Sequence, residues 1–158
     1  MKTKMLIYSA AANLLLFAGS SAFAHSDEYL DTQKTPNGGQ QRMAGSYHFE
    51  LVVAKDSKEA KDKPVVVYVT DHANAKIPTV GAGGTASILA GKQKASVKLV
   101  PDGDNRLKGI GKYASTPDMK VVVSVTLAGK PAEQARFTPL APMAPPAPAK
   151  DSHADHKH

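Results

Sequence analysis

Histidine is the residue of this chain best suited to chemistry: there are six, and three of them fall in its last six positions. The closing run Asp151-Ser152-His153-Ala154-Asp155-His156-Lys157-His158 gathers three imidazoles, two carboxylates and the terminal carboxyl group. Imidazole and carboxylate together suit Zn²⁺, Cu²⁺, Ni²⁺ or Co²⁺. The set His153, Asp155, His156 and His158 is therefore expected to capture such an ion. Affinity there should be modest, because ordering a loose tail costs entropy. It should also depend on pH, because protons compete for imidazole. The bland alternative is a tail that only keeps the protein soluble.

Three further histidines are candidates. His25 would become the first residue if the preceding segment were removed after Ala24. Its α-amino and ring nitrogens would then form a chelate of the kind copper favours, with a third nitrogen drawn from His72 or His48. His48 stands between Tyr47 and Phe49 on an alternating strand, where it reads either as a ligand or as a half-exposed cross-strand partner. His72 follows Asp71 just after a strand, where an aspartate commonly accepts hydrogen bonds from turn backbone. Met43, five residues before His48, and Met119 carry thioethers suited to Cu(I), although neither lies in a methionine-rich repeat.

Other chemistries find no foothold. There is no cysteine, which removes thiolate ligands, thiol nucleophiles and disulfides. No G-x-S-x-G elbow is present. Gly81-Ala82-Gly83-Gly84 lacks the Gly-Lys-Ser/Thr ending of a phosphate loop and reads as a strand connection. Asp102, Asp104 and Asn105 lie in a Pro-Asp-Gly-Asp-Asn turn without the remaining ligands of a calcium loop. No pair of carboxylates is distinguished by spacing, and no enzymatic activity is expected. Lysines are mostly single and interleaved with acidic residues, with no basic stripe carrying aromatics, so nucleic acid is not an expected partner.

The elements that must position these residues begin with an export signal. Lys2 and Lys4 precede an apolar stretch from Met5 to Ala18, and Ala22-Phe23-Ala24 forms a small-residue cleavage site, the layout of a secretory signal peptide over 1–24. The stretch is short of the roughly 20 residues a bilayer span needs, so no membrane span is expected after cleavage. Removal of 1–24 leaves 134 residues and lowers the formal charge from +6 to +4, since Lys2 and Lys4 go with it. A disulfide-free exported chain of this kind fits a bacterial periplasm.

Three regions follow: a polar, turn-rich leader over 25–40, a strand-rich domain over 41–138, and a Pro-rich and His-rich tail over 139–158, expected to be disordered. Five of the chain's 11 prolines fall between Pro139 and Pro148, which favours extended polyproline II and excludes a sheet interior. In the middle region Tyr47–Ala54 alternates Tyr47, Phe49, Leu51 and Val53 against His48, Glu50 and Val52. Pro64–Thr70 and Val121–Ala128 are β-branched runs, and Thr85–Ala90, Ala95–Val100, Arg106–Ile110 and Ala132–Thr138 are shorter candidates. Ala95–Val100 and Arg106–Ile110, joined by the Pro101–Asn105 turn, read as one hairpin. About seven strands with almost no helical periodicity point to an all-β fold, a two-sheet sandwich, with a small barrel as the alternative closure. Leu51, Val53, Val65, Val67, Val69, Ile88, Leu89, Val97, Leu99, Val121, Val123, Val125 and Leu127 are its candidate core.

The segment TPNGGQQRMAGSYHFELVV (35–53) resembles the T-P-x-G-G-x-x-R-M-A-G-x-Y-H-x-E-L-V-V stretch of small exported proteobacterial proteins associated with heavy-metal efflux gene clusters. VYVTDHANAKIPTVGAGGTASIL and YASTPDMKVVVSVTLAGKPAEQARF extend the resemblance over nearly all of 35–138. The domain is also similar to one appended to some efflux periplasmic adaptor subunits, and distantly to the FixH/YtkA-like sandwich. The resemblance implies an immunoglobulin-like domain, no enzymatic activity and a role in handling copper or cobalt, zinc and cadmium. Asn37-Gly38-Gly39 departs from the His-Gly-Gly frequent in that group, which removes one possible ligand. Two functions follow as expectations. One is a periplasmic accessory protein of heavy-metal resistance that binds or buffers a transition metal ion (copper, zinc or cobalt) for an efflux system. The other is a non-catalytic module that docks on a metal-efflux periplasmic adaptor or other envelope protein without a metal site of its own.

Overall fold

A computed structural model describes residues 26–55 and 57–142. The expected signal peptide lies outside these residues, as do His25 and most of the expected tail, with His153, Asp155, His156 and His158. The described chain is a short helix, α1 (Asp27–Thr32), followed by eight strands. These are β1 (Gln40–Ala44), β2 (Tyr47–Val53), β3 (Ser57–Asp71), β4 (Gly83–Ala90), β5 (Gln93–Pro101), β6 (Arg106–Ser115), β7 (Lys120–Thr126) and β8 (Ala132–Phe137). All pairs are antiparallel, and one sheet runs in the order β1-β2-β3-β6-β5-β4-β7-β8. Among the described residues no helix is long and apolar enough to cross a membrane.

The sheet curls until its two end strands lie side by side. No ladder joins them; instead the Thr138 amide donates to the Gln40 side-chain oxygen at 2.8 Å. On the other side, β5 and β6 share only the pairs Val100↔Lys108 and Pro101↔Leu107. Past them, the β5 backbone folds closely over β6. A Cβ on Gly109 would run into the Lys98 carbonyl oxygen and the Val97 side chain, so this corner requires a residue without one.

Alternation explains what fills the interior. Phe49, Leu51, Val65, Val67, Val69, Val97, Leu99, Leu107, Met119, Val121 and Val123 are fully buried in one cluster. Burial of each such side chain stabilises the fold by about 1.5–3 kcal/mol. With no disulfide available, this packing must offset the chain entropy. At one end the Tyr113 hydroxyl donates to the Pro64 carbonyl at 2.6 Å and accepts from the Ala54 amide at 3.2 Å. The Lys63 ammonium lies 4.6 Å from the centre of that ring. Burial pushes the Tyr113 hydroxyl above its ordinary pKa, and burial followed by the charge of Lys61 lowers Lys63.

The all-β expectation holds, and each of the seven expected strands exists. The count is eight rather than about seven, because Gln40–Ala44 pairs with β2 although part of it falls in the expected leader. That leader also contains α1, capped by Ser26, whose side chain accepts from the Tyr29 amide at 3.3 Å. Asp27 and Glu28 in its first turn face the positive end of the helix dipole. Leu89 is only half buried, because odd positions of β4 face away from the core that Ala86 and Ile88 fill. Phe49, Leu107, Tyr113, Met119 and Phe137 belong to the core in addition to the expected aliphatics.

Candidate functional site

The segment 35–53 folds into one corner of the protein. Gly45 and Ser46 connect β1 to β2, so Ala44 pairs with Tyr47 and Met43 with His48. On β2 the residues Phe49 and Leu51 turn inward to the core. His48 and Glu50 turn to the outer face, yet both are buried as well.

The segment 35–39 folds over that outer face and makes Glu50 its anchor. The Glu50 carboxylate accepts from the Asn37 amide at 3.0 Å, the Asn37 side-chain nitrogen at 2.8 Å and the Gly39 amide at 2.9 Å. Thr35 closes the loop by donating its hydroxyl to the Gly39 carbonyl at 2.9 Å. A Cβ on Gly39 would collide with the Leu51 carbonyl, so the approach depends on glycine. On the inner side of β1, the buried Arg42 guanidinium donates to both oxygens of Asp31, at 2.7 and 3.0 Å, and pairs with Asp27 at 3.5 Å. Burial works to raise the Asp31 carboxyl, but the hydrogen bonds from Arg42 and Gln40 and the Arg42 charge outweigh it and hold it below the usual aspartate range. These contacts latch α1 to the sheet.

His48 is expected to be half exposed, but it is only 3% exposed. Its neighbour on β3 is Thr70, and His72 lies two residues beyond on the same face. The His48 and His72 rings stack with centroids 5.0 Å apart and planes 18° from parallel. His72 itself is exposed, on the turn that ends β3. Asp71 builds that turn as expected: its carboxylate accepts from the amides of Ala73 and Ala75, each at 2.8 Å. Met43 is half buried and Met119 is fully buried in the core.

Of the sequence candidates, then, His48 and His72 come together, with Met43 in register with the first of them. His25, His153, Asp155, His156 and His158 lie outside the described residues. The Asp102, Asp104 and Asn105 turn serves the β5–β6 hairpin: Asp102 pairs with Arg106 at 2.9 Å, and the buried Asn105 side chain donates to the Val69 carbonyl at 3.0 Å. Among the described residues no group of three or more His, Cys, Asp or Glu is placed to hold a metal ion. The chemistry offered is two neighbouring imidazoles, one buried and one exposed, with a methionine in register with the buried one across the strand pair. The signal for Met43 was present in the sequence as the two-residue Gly45-Ser46 connection, which sets residue 43 against residue 48. The signal for Glu50 was not, since no periodicity tells that a loop will cover it. No protein-family model, curated protein or solved structure matches this chain.

Proposed function

We propose that this protein is a non-catalytic periplasmic accessory of transition-metal handling, an immunoglobulin-like β-domain that binds or buffers a metal ion for an efflux system. The observation that carries the reading is the meeting of His48 and His72, 24 residues apart in sequence, with ring centroids 5.0 Å apart. A buried imidazole on a strand beside an exposed one on a turn gives a site that is half built and closes on its ion. The terminal histidines add a second, weaker capture point. The two-sheet description draws support from the narrow β5–β6 joint, which divides the eight strands into β1-β2-β3-β6 and β5-β4-β7-β8.

Calorimetric titration with Cu²⁺, Zn²⁺ and Co²⁺ tests this. The full chain with His153, His156 and His158 changed to alanine should still take up one ion, and adding His72→Ala should weaken that uptake at least tenfold. Equal uptake with and without His72 removes the site.

The docking module is the second reading, favoured by Val100 and Ile110, which are 48% and 61% exposed beside Lys98 and Lys108. Recovery of an efflux adaptor with the protein in the presence of a chelator, abolished by Ile110→Asp, would support it.

A further inference from the structure

Resting on the metal reading just given, we propose that the site at His48 and His72 is selective for a soft monovalent ion, Cu(I) or Ag(I), and that the Met43 thioether confers this selectivity. Met43 faces His48 directly across the β1–β2 pair. Directly opposed residues of an antiparallel pair hold their Cβ atoms about 4.5–5.5 Å apart. The unbranched methionine side chain, with three rotatable bonds, is long enough to span that gap to the imidazole. Thioether sulfur is a poor ligand for hard divalent ions and a good one for Cu(I).

Charge argues the same way. His48, His72 and Met43 form a neutral donor set. The carboxylates that flank the two histidines in sequence are already engaged, Glu50 by Asn37 and Gly39 and Asp71 by Ala73 and Ala75. With their oxygens so engaged, neither of these two carboxylates is free to offset the charge of an ion bound at His48. Desolvation therefore penalises a divalent ion far more than a monovalent one. Monovalent d¹⁰ ions also accept two or three ligands, the number present. The stacked rings do not yet aim their in-plane lone pairs at one point, so His72, exposed on its turn, swings to complete the site.

Silver ion is the probe, because it needs no reductant and the chain has no thiol to compete for it. The full chain with His153, His156 and His158 changed to alanine and its methionine methyl groups labelled with ¹³C is titrated with Ag⁺ in nitrate medium. One equivalent should shift the Met43 methyl resonance and leave that of the core residue Met119 in place. Met43→Leu should lower Ag⁺ affinity at least tenfold and change Zn²⁺ affinity less than twofold, with an unaltered melting transition. A stationary Met43 methyl, or equal losses of Ag⁺ and Zn²⁺ in Met43→Leu, overturns the selectivity. If His72→Ala still weakens uptake in that case, the metal reading itself survives. If neither variant alters uptake of either ion, both fall.

Discussion

The two faces of β2 reach similar burial by opposite means. Inward, Phe49 and Leu51 pack against aliphatic neighbours and need only bulk and shape. Outward, His48 and Glu50 are buried because a loop, a neighbouring strand and a turn close over them, and each polar contact has its own geometry. Apolar packing tolerates exchange of one aliphatic for another of like volume. A carboxylate that anchors two backbone amides does not tolerate exchange for a group without oxygen acceptors. Within one strand, the inner face therefore carries the fold, and the outer face carries whatever this corner does.

The difference can be broken most severely from inside. Phe49→Ala should cost about 3–5 kcal/mol of unfolding free energy in urea titrations, and a cost below about 1 kcal/mol would mean that the inner face is not core. Glu50→Ala comes next, at about 1–3 kcal/mol, because it removes the charged acceptor shared by the Asn37 and Gly39 amides and the Asn37 side chain. Hydrogen exchange at the Asn37 and Gly39 amides should accelerate, whereas Glu50→Gln, which keeps one oxygen, should restore part of the protection.

A smaller effect sharpens the contrast by showing how the inner side of the neighbouring strand accepts a charge. The Asp31 carboxyl titrates lower when folded than when unfolded, so its contribution is present above the ordinary aspartate range. It is lost as pH falls through the lower, folded value. Asp31→Asn should thus destabilise at neutral pH by less than about 1 kcal/mol, since the pair is partly exposed, and the difference from the parent chain should vanish in acid. A difference that persists in strong acid would exclude the ion pair as its cause. Least of all, His72→Ala should change stability by under about 0.5 kcal/mol, so that any loss of metal uptake in that variant reports ligation rather than unfolding.

The inner face was legible from alternation and β-branched runs, which is why the strands from Tyr47, Pro64, Thr85, Ala95, Arg106, Val121 and Ala132 could be placed. Gln40–Ala44 escaped because QQRMA has no β-branched residue and sits next to turn-rich sequence. The six-residue helix α1 has one buried residue, Leu30, too few to leave a periodic mark. At the site, the sequence put His48 on the correct face but not under cover. The approach of His72 depends on the β2–β3 register, which no local signal encodes.

The seam between β1 and β8 carries a consequence for how the chain is strung. Leu30 and Asp31 near one end of the described residues and Ala141 and Pro142 at the other line the same surface hollow. The two ends thus leave the sheet at one place. A circularly permuted chain, cut at Gly91-Lys92 and spliced from Pro142 to Ser26 by a few glycines, would retain every strand neighbour.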